Sequence, residues 1–180
     1  MEFNQFAITF YFKDILPDYT AFEDFLTDYT DVDTSDEDFN KYCFKYLFNR
    51  YCNSNVKYDT QDAFCRQFGI TYENVYEQFK KRQEIVKKMY ALDDDDIMRA
   101  RFIIANNSLD DNVHLGDNVD PLGKPLDYIS QQTASKELIN KVEAYDNALR
   151  KITDNLLDEF LDEFRKHFIS LFTANINVFD

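Results

Sequence analysis

Residues 135–172 read SKELINKVEAYDNALRKITDNLLDEFLDEFRKHFISLF, and this stretch decides the fold. Leu138, Val142, Tyr145, Leu149, Ile152 and Leu156 recur in alternating steps of four and three, and the stripe widens through Phe160, Leu161, Phe164, Phe168, Leu171 and Phe172. Such spacing keeps side chains on one face of an α-helix. The opposite positions carry Glu143, Asp146, Lys151, Asp154, Asp158, Asp162 and Lys166, a solvated face. Unbroken, the helix would run roughly 55–60 Å at about 1.5 Å per residue, longer than a compact domain of this size. One end would overhang, and its apolar stripe would aggregate unless the rest of the chain or a partner covered it.

The remaining composition agrees with a mainly α chain. Only three Gly and three Pro interrupt 180 residues, and hydrophobic residues make up 44%, enough for a core in one domain. The aromatic share comes from 18 Phe and 12 Tyr, with no Trp. Acidic residues outnumber basic ones 34 to 20, a net charge of −14, which repels phosphate backbones and argues against a nucleic-acid groove. Cys43, Cys52 and Cys65 have no paired metal-ligand spacing and read as free thiols of a reducing compartment. The start lacks the basic and apolar regions of a signal peptide, and no uninterrupted apolar run is long enough to span a membrane. A soluble protein made in the cytoplasm is expected.

Outward from the C-terminal stretch, the chain reads as a helical bundle with one long C-terminal helix, a candidate short N-terminal strand and extended terminal arms. One structural domain is expected, with an N-terminal helical part at 1–105, a loop or linker at 106–130 and the long helix with its tail at 131–180. Residues 3–12 alternate as a strand does at Phe6, Ile8, Phe10 and Phe12, although Phe3, Phe6, Ala7 and Phe10 also fit a helix; the alternation is slightly favoured. Pro17 and Asp18 open a short helix at 19–29, and Ser35 caps another that carries Phe39, Tyr42, Cys43, Tyr46 and Leu47. Residues 53–57 look like a turn. Thr60 caps a brief helix stopped by Gly69, and Thr71 begins the next, whose outer face holds Lys80, Lys81, Arg82, Lys87 and Lys88. That basic face is either solvated or a dock for acidic neighbours, other copies of this chain included. Asp93, Asp94, Asp95 and Asp96 end that helix, residues 97–105 fit strand or helix, and 106–125 form the long irregular connection.

Signatures of chemistry are sparse. The four consecutive aspartates lack the glycine and distal glutamate of a calcium loop and read as a solvated run. His114 and His167 have no ligand or nucleophile near them in sequence, and His167, between Phe164 and Phe168, reads as a boundary residue. There is no phosphate-binding glycine loop, nucleophile elbow, Cys-x-x-Cys or His-Glu-x-x-His. No enzyme activity, cofactor or metal is expected.

Two stretches carry a resemblance. Asn49-Arg50-Tyr51 followed by Tyr58-Asp59-Thr60 and Phe64 is similar to a helix end and following cap in the collar, ring or head-to-tail connector proteins of tailed bacteriophages. Pro125-Leu126-Asp127-Tyr128-Ile129, leading through Ala144-Tyr145 and Ala148-Leu149 to Asp158-Glu159-Phe160 and Leu171-Phe172, resembles their closing helix. Together these cover about half of the chain, and both are structural patterns. The resemblance implies a non-enzymatic virion protein of the neck, forming a homo-oligomeric ring with portal and tail proteins as neighbours. DNA would pass through as a repelled polymer, which an acidic lumen favours.

The expected subunit contacts are Phe6, Ile8 and Phe10 at the N-terminus, Val113, His114, Leu115 and Val119 in the loop, and Ile176, Val178 and Phe179 in the tail. Tyr and Phe are favoured at such contacts. The alternative from another class is a small acidic inhibitor that mimics DNA and binds a basic host protein. Mimicry wants unbroken rows of carboxylates, whereas here lysines are mixed among the acids on most helices.

Overall fold

The computed structural model describes residues 9–109 and 125–169, with side chains over 9–104 and 136–169. Within them the chain forms seven helices and no strand: α1 Phe12–Ile15, α2 Tyr19–Tyr29, α3 Glu37–Tyr51, α4 Gln61–Met89, α5 Asp94–Leu109, α6 Pro125–Glu159 and α7 Leu161–Arg165. None is long and apolar enough to cross a membrane. The fold is mainly α, as the periodicity predicts. The described residues gather into two compact units. One takes those up to Lys80 together with those from Thr153, and the other spans Lys81–Ile152.

The first unit is built on aromatic rings. Phe12 lies 6.1 Å from Phe64, 5.6 Å from Phe68 and 5.8 Å from Phe168, while Phe64 stacks on Phe68 at 5.0 Å. A second group joins α2, α3 and α4: Phe22 meets Tyr72 edge-on at 5.3 Å, and Phe39 stacks on Phe79 at 4.1 Å. Offset and edge-to-face contacts of this kind add to the burial of the rings themselves. With so many Phe and Tyr and no Trp, the core closes ring against ring.

Local chemistry explains most helix ends. The Asp18 carboxylate accepts the Ala21 N–H at 2.9 Å and opens α2, and the Thr60 hydroxyl accepts that of Ala63 at 3.1 Å before α4. Ser35, predicted to cap α3, instead donates its N–H and hydroxyl to Asp33, and Asp36 takes the capping position. The aspartate run starts a helix where the sequence suggested an end: Asp93 accepts the Asp96 N–H at 2.8 Å, and the next three carboxylates lie in the first turn of α5, where the helix dipole favours them. Between α4 and α5 the Leu92 N–H reaches the Lys87 carbonyl and the Ala91 N–H that of Lys88, with Ala91 at φ 49°. This is the Schellman closure, here with alanine in the left-handed position that usually holds glycine.

Gly69 does not stop a helix. α4 runs through it without a break, so the brief helix and the helix from Thr71 are one element of 29 residues. A β-carbon at Gly69 would lie 3.0 Å from the Tyr29 carbonyl oxygen and 3.2 Å from Thr30 Cγ2. The glycine lets α4 approach the end of α2.

Two elements of the expected fold are corrected. The single helix over 135–172 is divided: α6 ends at Glu159, Phe160 turns at φ −91° and ψ 5°, and α7 is only five residues long. Residues 166–169, the last described, are not helical. Lys57 N–H donates to the His167 carbonyl and Ile169 N–H to that of Asn55, both at 2.9 Å, while Phe164 and Phe168 turn into the aromatic core. The stripe kept helical spacing past Phe160, but burial of both rings and this backbone pairing prevail over it. At its other end the helix starts at Pro125, a residue suited to a first helical turn. The linker expected over 106–130 is therefore helical at 106–109 and 125–130.

The N-terminal strand is the second correction. Residues 3–8 of the expected strand lie outside the described residues; among 9–12 only Tyr11 makes a bridge, to Asn55, and Phe12 already begins α1. On that side Val56 N–H donates to the Phe10 carbonyl at 2.8 Å and Phe12 N–H to that of Ser54 at 3.0 Å. Within the expected turn at 53–57, residues 54–57 are thus held from both flanks, by 10–12 and by 167–169. This backbone clasp ties both ends of the described chain to one short segment.

The second unit packs Val86, Leu92, Ile97, Ala100, Val142 and Tyr145 together, with Leu138, Leu149 and Ile152 against them. Here the stripe of α6 has the buried face that its spacing predicts.

Candidate functional site

His167 is the most unusual polar group of the first unit. It is 7% exposed and ringed by Phe64, Phe68 and Tyr58, with the nearest ring centre 5.6 Å away. Nδ1 lies 2.8 Å from the Tyr58 hydroxyl and Nε2 2.8 Å from that of Thr71. A neutral imidazole donates through one nitrogen and accepts through the other, and a hydroxyl can answer either, so both partners are satisfied without a charge. Burial draws its pKa down to about 4, with Lys166 and Lys57 adding to the fall and Glu163 opposing it. Both nitrogens are engaged inside a closed aromatic wall, an arrangement that positions the 167–169 segment and leaves no lone pair for a substrate.

Two of the three thiols are similarly withdrawn, while Cys52 is half-buried. Cys43 is fully buried, which pushes its pKa well up, and burial with the Asp62 charge pushes Cys65 up to about 11. Neither is a thiolate at neutral pH, the form a nucleophile or metal ligand needs. Asn40, also fully buried, accepts from the Tyr72 hydroxyl at 2.9 Å and donates to the Asp33 carbonyl at 3.1 Å. Tyr76 donates to Asp36 at 2.6 Å, and Lys80 reaches the same oxygen at 3.0 Å. These contacts fasten the α2–α3 connection to α3 and α4. Among the described residues no three His, Cys, Asp or Glu side chains come together as metal ligands would.

Of the expected contact residues only Phe10 is described, half-buried, with its carbonyl engaged by Val56 of its own chain. Phe6, Ile8, Val113, His114, Leu115, Val119, Ile176, Val178 and Phe179 lie outside the described residues. Within the basic face, Lys80 is held by Asp36 and Lys87 donates to Asp94, while Lys88 is exposed.

The surface of the second unit offers a different candidate. On α4, Ile85 is 59% and Met89 76% exposed; on α5, Met98 is 66% and Phe102 69% exposed. Each pair is spaced i, i+4, so its members are neighbours on one helix face. Sequence reasoning passed over the α5 pair because residues 97–105 were left open between strand and helix. Once helical, α5 is apolar on two faces: Ile97 and Ala100 point inward while Met98 and Phe102 point out.

The four most exposed large apolar side chains lie in Lys81–Ile152, although Ile70, Ile169, Tyr11 and Tyr42 are exposed in the other unit; charge is divided more sharply. Lys81–Ile152 holds 13 acidic against 11 basic residues, a balance of −2, so −12 of the net −14 falls on the rest of the chain. Comparison with protein-family models, with curated proteins and with solved structures finds no match for this chain.

Proposed function

We propose that the chain is a non-enzymatic structural subunit of a tailed-phage head-to-tail connector, part of a ring of identical copies beneath the portal through which DNA passes. The observation that carries this reading is the separation of roles along one chain. A nearly neutral unit exposes paired apolar residues on consecutive helices, and the remainder concentrates the negative charge. Apolar pairs suit permanent contacts between subunits, and a negative wall lets a polyanion slide without adhering. The two stretches that resemble connector proteins point the same way.

A DNA-mimicking inhibitor is the less favoured reading. Many of its carboxylates would have to stand free for a basic partner, yet Glu37, Asp62, Asp36, Asp162 and Glu163 each face a lysine or arginine of this chain. The deciding experiment is electron cryomicroscopy with mass spectrometry on particles purified from the host that carries this gene. Stoichiometric copies in the neck are expected; particles complete without the chain would overturn the reading.

A further inference from the structure

The two flanks of the clasp are seated by different chemistry. On the N-terminal flank Phe12 N–H donates to the Ser54 carbonyl and Val56 N–H to that of Phe10, and the side chain that seats it is the fully buried ring of Phe12. On the C-terminal flank Lys57 N–H donates to the His167 carbonyl and Ile169 N–H to that of Asn55. Here the seat is the His167 imidazole, buried with the Tyr58 hydroxyl on one nitrogen and the Thr71 hydroxyl on the other. One flank thus rests on a ring that never ionises, the other on a ring that can. The groups facing that ring do not welcome a proton. The 52–60 connection presents Tyr58 and Lys57, α4 presents Phe64, Phe68 and Thr71, and α7 with the residue after it presents Glu163 and Lys166. Glu163 is exposed and already bound to Lys166 at 2.6 Å, so an imidazolium formed in place would gain little from it. In water the same cation recovers its hydration.

We propose that acid opens the clasp on one side: protonation of His167 frees residues 161–169 from 54–57, while 10–12 stays paired. The break falls at Phe160, where α6 has already ended, so α6 is kept and only α7 and the four residues after it detach. Phe164 and Phe168 leave the aromatic core with them, and their burial keeps the open form a minor one at neutral pH. Proton linkage sets how far acid enriches it. A ring that takes its proton freely only when open multiplies the open population by about ten for each pH unit between 6.5 and about 4. The opening is a property of a single chain and is independent of the subunit reading.

The test is amide hydrogen exchange of the full chain, followed by NMR from about pH 7 to about pH 4.5, each rate corrected for its intrinsic pH dependence. Protection of the Lys57 and Ile169 amides, which donate across the C-terminal flank, should fall about tenfold per pH unit below about pH 6. The Phe12 and Val56 amides, which donate across the other flank, should change by less than about threefold over the same range. His167→Gln keeps a donor and an acceptor in one uncharged group, and should hold all four amides level. Wild type decides even where that variant does not fold. Four amides losing protection together would mean that the whole fold opens, and would overturn the proposal, as would Lys57 and Ile169 amides that stay level. A folded His167→Gln that loses protection as wild type does would overturn it too, by assigning the response to another group.

Discussion

His167 shows how one buried side chain gives the molecule a pH response. Unfolded, it titrates near the ordinary 6.5; folded, near 4, because burial disfavours the imidazolium. Between those values the unfolded chain binds the extra proton, so stability is complete above about pH 6.5 and falls as pH drops towards 4. At 1.36 kcal/mol per pH unit the loss is at most about 3.4 kcal/mol. Asp33, Glu37 and Asp62 have lowered pKa values, held down by hydrogen bonds to Ser35, Lys41 and Arg66. Their contributions are lost as pH falls from the ordinary values of 4.5 for Glu37 and 3.8 for Asp33 and Asp62 through the lowered ones, which overlaps only the bottom of the His167 window. Urea midpoints measured across that range should decline for wild type and flatten for His167→Gln. A wild-type profile that is level between pH 6.5 and 4 would mean that the imidazole is not withdrawn from water. The identity of His167 as a residue between two aromatics was legible in the sequence. Its partners were not, since Tyr58 and Thr71 lie 109 and 96 positions away.

The helices carry two opposite expectations for alanine and glycine. Gly69→Ala would ordinarily strengthen a helix interior by about 0.5–1 kcal/mol. Here the added methyl meets the backbone oxygen of Tyr29, which yields only if α2 and α4 separate, so we expect a net loss of about 1 kcal/mol. Ala91→Gly should act in the other direction, gaining up to about 1 kcal/mol, because φ 49° strains any residue with a β-carbon. Denaturant midpoints of the two variants should move to opposite sides of wild type. At the clasp, Phe168 is buried, stacked on Tyr51 at 4.4 Å and 11°, and bridged through its backbone to Val56. Phe168→Ala should cost about 3–4 kcal/mol, in the range for a buried ring, measurable by equilibrium unfolding. A cost below about 1 kcal/mol would show that the clasp does not anchor the end of the described chain.

For the molecule as a whole, the net charge sets the sign of its salt response. At −14 the compact state repels itself, and added salt screens that repulsion. The surface ion pairs weaken at the same time, but exposed pairs such as Lys41–Glu37 and Arg66–Asp62 contribute little each. Melting temperature at low protein concentration should therefore climb with sodium chloride; a fall would assign the ion pairs a greater weight than their exposure allows. The sequence by itself determined the helical class, the boundaries set by Asp18 and Thr60, the buried face of α6 and the acidic surface. Those properties depend on neighbours three or four residues apart, or on composition alone. Only the tertiary structure decided that the last helix breaks at Phe160, that Gly69 is a point of close approach, that residues 54–57 receive both flanking segments, and that α5 leaves Met98 and Phe102 uncovered. Each depends on groups far apart in the chain, and their packing and hydrogen bonds override a local periodicity that would have let the helix continue.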